Sequence, residues 1–153
     1  MTKTNMDVTV EEILAGIAQD EFVLYYQPQF NLINAKLDAL EALIRWHHPT
    51  LGLLPPGSFL PQAQEFGLMA AIDGWVLNAA CKQNRIWHDL GYTELRIAVN
   101  VSPQLMLAPN FVQQVEQALK VHGLKPEMLE IELTENILLH EDENIAVVHQ
   151  LKK

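Results

Sequence analysis

Leu37-Asp38-Ala39-Leu40-Glu41-Ala42-Leu43-Ile44-Arg45-Trp46 is the stretch whose reading decides the fold. Successive side chains of a β-strand point to opposite faces, and this stretch sorts cleanly by that rule. Leu40, Ala42, Ile44 and Trp46 share one face, which suits packing beneath helices. Leu37, Ala39, Glu41, Leu43 and Arg45 share the other, so a carboxylate and a guanidinium sit together near the strand's C-terminal end. A strand leaving the core, with Glu41 and Arg45 solvated, would give the same pattern.

Two later segments repeat the arrangement. Leu95, Ile97, Val99 and Val101 alternate with Arg96, Ala98, Asn100 and Ser102. Asparagine is disfavoured in strands, so Asn100 is either a functional donor or a turn former ahead of Ser102-Pro103. Leu129, Ile131 and Leu133 alternate with Glu130, Glu132 and Thr134. Two carboxylates on one strand face repel unless positive charge lies near them; an edge strand with a wet face is the plain alternative. Together the three strands each place an oxygen donor near the C-terminal end, where α/β barrels build their active sites. Hard divalent cations take oxygen ligands, and Glu41, Asn100 and Glu132 suit Mg²⁺ or Mn²⁺.

Around these strands helix and strand signals alternate. Thr9 and Glu12 form a capping box that opens a helix from Val10 to about Gln19. Phe22 to Gln27 reads as a strand ended by Pro28, and Asn31 to Asn34 as a turn. Pro49 to Pro56 reads as a loop, after which Ser58 caps a short helix closed by Gly67. Ala70 to Leu90 is a long helix with Gly91 just past its end. Pro103 and Pro109 bracket a loop, Asn110 caps a helix ending at Gly123, and a last helix begins near Glu141. The order predicts a parallel α/β sheet or barrel whose first two strands pair antiparallel.

The 153 residues suit one domain, and 49% apolar with 19% charged residues reads as globular rather than disordered. A formal charge of −9 argues against a nucleic-acid surface. It is compatible with a phosphodiester ligand only if the carboxylates first bind divalent cations. No apolar run is long enough to span a bilayer, and the start lacks the order of a secretory signal. With Cys81 as the lone cysteine, a reducing, cytoplasmic setting is expected.

Glu41-Ala42-Leu43-Ile44-Arg45-Trp46 resembles the signature of the EAL-domain family, and other motifs follow in the family's order. These are Tyr25-Tyr26-Gln27-Pro28, Leu53-Leu54-Pro55-Pro56-Gly57-Ser58-Phe59, Asn100-Val101-Ser102 and Glu132-Leu133-Thr134-Glu135. The similarity covers residues 9–153, leaving 1–8 as an N-terminal tail. It implies a TIM-like barrel of which the first half is present. It also implies a cytoplasmic phosphodiesterase that uses two Mg²⁺ or Mn²⁺ ions to hydrolyse cyclic di-GMP to linear pGpG. By the same resemblance Glu41, Asn100 and Glu132 would hold metal. Gln27, Leu43 and Arg45 would contact the nucleotide, and Glu135 would anchor a loop. The family's paired aspartates and a lysine that helps activate the attacking water would fall beyond Lys153. The chain by itself is therefore expected to be inactive, and to form a homodimer or associate with a C-terminal half. The alternative is a degenerate module that binds cyclic di-GMP or a protein without turnover.

The remaining conspicuous residues read as structural. His47-His48 precede a turn, Cys81 lies mid-helix among alanines, and Trp75 and Trp87 belong to a core or interface. Lys152-Lys153 is too short for a nucleic-acid patch. Arg96 and Glu130 fall on the same face of neighbouring strands and are expected to pair, directly or through water.

Overall fold

The computed structural model describes residues 7–133 together with 147, 150 and 151. Glu135, the start of the last expected helix and the Lys152-Lys153 pair lie outside the described residues. Helix α1 (Val10–Ala18) opens with the expected capping box, in which Thr9 and Glu12 satisfy each other's backbone N–H groups. Strand β1 (Phe22–Phe30) then runs antiparallel to β2 (Leu37–His48). Strand β4 (Arg96–Val101) pairs parallel with β2, and β5 (Leu129–Leu133) parallel with β4. The sheet order is β1-β2-β4-β5, with a short β3 (Gly52–Leu54) laid antiparallel on the end of β2.

Helices α2 (Leu60–Glu65), α3 (Met69–Asp89), α4 (Pro103–Met106) and α5 (Phe111–His122) complete the described chain. α3 and α5 stop where Gly91 and Gly123 take positive φ, at 106° and 63°. The apolar strand faces bury against the helices: Ile97 and Val99 on β4 are wholly buried, as are Ile72, Leu77 and Ala80 on α3. At one end Phe22, Trp46 and Phe59 make a ring cluster, with centroids 5.0 Å apart for Phe22–Trp46 and 5.5 Å for Trp46–Phe59. Trp75 and Trp87 pack on Phe22 and Tyr26, as core residues should. Gly16 of α1 meets this cluster so closely that a Cβ there would lie 2.9 Å from the Phe22 ring.

Several expectations need correction. Pro28 does not end β1; it pairs with Leu40 inside the strand, because among the described residues β1 has a partner on one side only, and a proline lacking its N–H is tolerated at an edge. The Pro49–Pro56 segment holds β3, too short to announce itself by alternation. Ser58 caps nothing: Pro56–Ser58 is a 3₁₀ turn and α2 starts after Phe59 without a side-chain cap. Between Pro103 and Pro109 lies α4, capped by Ser102. Asn110 occupies the N-cap position of α5, but its side chain accepts from Gln114 rather than from the helix backbone.

Candidate functional site

Register decides which side chains meet. Gln27 lies opposite Glu41, Tyr25 opposite Leu43 and Gln29 opposite Ala39 across the antiparallel pair. Glu41 is level with Ala98 on β4, and Asn100 is level with Glu132 on β5. Directly opposed residues project to the same face. One face of the sheet, the one turned from α3, therefore collects Gln27, Gln29, Glu41, Leu43, Arg45, Asn100, Glu130 and Glu132.

The side chains close on one another there. The Asn100 amide donates to Glu41 Oε1 at 2.9 Å, and the Gln29 amide donates to Glu132 Oε1 at 2.9 Å. The second contact reports curvature. In a flat sheet β1 and β5 would stand about 14 Å apart, three strand spacings, and two such side chains could not span that gap lying over the sheet. The face is concave, as an arc of a barrel is.

Electrostatics within the concavity are unfavourable as they stand. Partial burial lifts the Glu132 carboxyl above its ordinary range, the Gln29 hydrogen bond pulls it down, and the neighbouring Glu41 and Glu130 carboxylates push it up again. Arg96 answers part of this charge, bonding Glu130 at 3.0 Å and also Asp38. The expected Arg96–Glu130 pair is thus direct. No basic side chain among the described residues pairs with Glu41 or Glu132. Two carboxylates and an asparagine converging without a cation make a donor set that fits a hard divalent ion. Asparagine supplies one of the three donors, and among the described residues no group of three His, Cys, Asp or Glu side chains gathers, on this face or elsewhere.

Arg45 stands apart from the carboxylates, four positions further along β2, about 13 Å by strand rise. Its guanidinium lies over the Tyr25 ring, 5.4 Å from the centroid, and donates to the Ile44 carbonyl at 2.8 Å. Leu43 lies between Arg45 and Glu41. With Pro56, Gln64, Asp73, Asn100 and Ser102 it lines a cleft of about 430 Å³ over the ends of β2 and β4. His47 is exposed, and His48 is buried with Nδ1 accepting from the Thr50 and Leu51 amides at 3.3 and 3.2 Å, a turn-stabilising role. Cys81 is wholly buried, which pushes its thiol up to about 11.

Three residues of the site escaped the sequence reading. Gln29 was lost with the strand end placed at Pro28; continuing the alternation past the proline would have put it on the face of Gln27. Asp73 interrupts the apolar face of α3 formed with Val76, Leu77 and Ala80, and an acid in such a stripe is the signal that could have marked it. Asp38 sits at the start of β2, where alternation alone assigns it to the other face.

The family model for the EAL domain matches residues 10–153. The signaling protein YkoW of Bacillus subtilis is 39% identical over 137 residues, covering 90% of this chain and 17% of that protein. The bifunctional diguanylate cyclase/cyclic di-GMP phosphodiesterase MucR of Pseudomonas aeruginosa is 37% identical over 143 residues, 93% of this chain and 21% of that one. The chain thus spans about a fifth of the length of these curated relatives. A solved structure of the PaMucR phosphodiesterase in complex with c-di-GMP superposes with a TM-score of 0.88 at 37% identity, covering 94% of this chain and 58% of that one.

Proposed function

Because the chain belongs to the EAL domain family, we propose that it supplies the N-terminal part of a cyclic-di-GMP phosphodiesterase domain that yields linear pGpG. The observation that carries the proposal is the convergence of Glu41, Asn100 and Glu132 on the concave face. MucR, 37% identical over 143 residues, is a phosphodiesterase by name and has been solved with c-di-GMP.

In this reading Glu41, Asn100 and Glu132 hold Mg²⁺ or Mn²⁺. When bound, such ions neutralise phosphoryl charge and lower the pKa of a coordinated water. The chain's own residues position the carboxylates and the nucleotide. Gln29 fixes the Glu132 carboxylate through its amide, and Asn100 fixes Glu41. Arg96 offsets the charge of Glu130 and Asp38 below the ligand positions. Gln27 faces the nucleotide from β1, beside Glu41. Arg45, stacked on Tyr25 and donating to the neighbouring Ile44 carbonyl, swings its fork onto a phosphate oxygen pair. Leu43 and the cleft beyond it offer the apolar wall against which a purine base packs. By the family resemblance Glu135, outside the described residues, would anchor a loop that follows the next strand of the domain.

The test is product detection by chromatography with the longest natural polypeptide that contains these residues, in Mn²⁺ and in Mg²⁺. We expect pGpG from wild type, and a loss of two or more orders of magnitude for Glu41→Gln and Glu132→Gln. Binding of cyclic di-GMP without pGpG would reassign the domain to a non-catalytic receptor. Turnover unaffected by chelation of divalent ions would overturn the metal reading.

A further inference from the structure

Asp73 is the buried acid that the proposed chemistry leaves unused. It is 7% exposed in the second turn of α3, and no lysine, arginine or histidine among the described residues forms an ion pair with it. A buried carboxylate without a cation is costly unless hydrogen bonds replace the lost water. Here they come from one residue. The Ser102 amide donates to Asp73 Oδ2 at 2.8 Å, and the nearness of the Ser102 amide and hydroxyl pulls the carboxyl down against the larger lift from burial. The same hydroxyl oxygen accepts from the Leu105 amide at 3.4 Å as the cap of α4, and the Ser102 carbonyl accepts from Met106 at 3.0 Å.

Ser102 follows Asn100 by two residues, at the point where the chain leaves the sheet. Val101 between them is 2% exposed, and Leu105 and Met106 are wholly buried beyond. α4 is a single turn, too short to hold its own position. The direction in which β4 ends, and hence where the Asn100 amide points, is set by what grips Ser102. That grip comes from α3, which packs along β4.

We propose that Asp73 is a positioning residue: it clamps Ser102 and thereby aims Asn100 at Glu41 and the metal position. The inference rests on the reading of Glu41, Asn100 and Glu132 as a metal site. It places control of that site on a helix that contributes no ligand.

Mn²⁺ affinity of the full chain by isothermal titration tests it, with thermal unfolding measured alongside. Asp73→Ala is expected to weaken Mn²⁺ about tenfold or more, the usual effect of losing a group that orients a ligand. Asp73→Asn keeps an acceptor for the Ser102 amide and is expected to bind within about threefold of wild type, with a melting temperature no lower. Ser102→Ala, which keeps the amide bond but loses the hydroxyl, should fall between them. The Ser102 amide proton should move upfield in Asp73→Ala and hold its position in Asp73→Asn. Equal Mn²⁺ affinity in all four proteins, with wild type binding, overturns the positioning role and leaves the metal site standing. Equal weakening by Ala and Asn also overturns it, since charge rather than placement would then matter. Should Asp73→Ala fail to fold, wild-type affinity in Ser102→Ala overturns it. A wild type that binds no Mn²⁺ overturns the metal-site reading itself, and this inference with it.

Discussion

Replacing Gly16 by alanine should destabilise the protein, although the same replacement in a helix interior ordinarily helps. Alanine is favoured over glycine by about 1 kcal/mol in mid-helix. At Gly16 the added methyl would stand 2.9 Å from Phe22 Cε2, 3.0 Å from Trp46 Nε1 and 3.1 Å from Trp46 Cε2. Ordinary carbon contacts begin near ~3.5 Å, so rigid rings must retreat by about half an ångström. They have little room, because Trp46 and Phe59 are wholly buried and stacked into the same cluster. Overpacking of this kind costs about 1–3 kcal/mol. Displacing Trp46 also strains its bond to Glu21, 2.9 Å from Nε1, a bond of about 1 kcal/mol net. The balance is a loss of about 1–2 kcal/mol, from these same terms. Gly74 in α3 supplies the control, because a Cβ there meets only Gln114 Oε1 at 3.5 Å. Gly74→Ala should therefore gain about 0.5–1 kcal/mol. Urea unfolding followed by tryptophan fluorescence reads both, and opposite signs are expected. A Gly16→Ala protein as stable as Gly74→Ala would refute the reasoning that the ring cluster is closed to a methyl group.

Further outcomes follow from the same geometry. Arg45→Ala and Arg45→Lys should weaken cyclic-di-GMP binding to similar extents, about 10–100-fold by calorimetry, because lysine cannot reproduce the guanidinium fork; unchanged affinity in Arg45→Ala removes the phosphate clamp. Burial holds the Asp73 carboxyl above its ordinary value, so over that interval the folded protein keeps a proton that the unfolded chain has released. Stability contributed there falls as pH rises, and urea titrations from acid to neutral pH should show this slope in wild type and its loss in Asp73→Asn; identical slopes contradict the assignment. Cys81, with its thiol raised to about 11 by burial, should resist a thiol-specific chromogenic reagent in the native state and react at once in denaturant. Rapid native labelling would show that α3 opens locally.

The parts of the fold that could be read in advance are those dictated by their own residues. α1, α3 and α5 announce themselves by period, by the Thr9 box and by terminal glycines. β2, β4 and β5 do so by alternation, which also brought Glu41, Asn100 and Glu132 onto one face. The failures are elements made by neighbours. β3 exists because the end of β2 offers it a partner, and α4 because Ser102 and the buried Leu105 and Met106 fold one turn against α3. Pro28 misled because the rule against proline in strands belongs to strands with two partners. Gln29 and Asp73 act through contacts to residues far off in the chain, Glu132 and Ser102, and no local pattern carries such a distance.

The antiparallel start of the sheet has a kinetic consequence. β1 and β2 are joined by a tight turn whose Asn31 side chain accepts from the Ile33 amide at 2.8 Å, so their pairing closes a small loop. Hairpins of this kind form in about 1–10 μs, whereas β2 can join β4 only after α3 has been threaded across, and β5 only after α5. The surface bearing Gln27 and Arg45 should thus be in place while Asn100 and Glu132 are still dispersed, and it leaves the ribosome first as well. Pulsed hydrogen exchange during refolding should protect amides of Val23 and Tyr25, which face β2, ahead of those of Val99 and Glu132. Simultaneous protection would mean that the two halves of the site are born together.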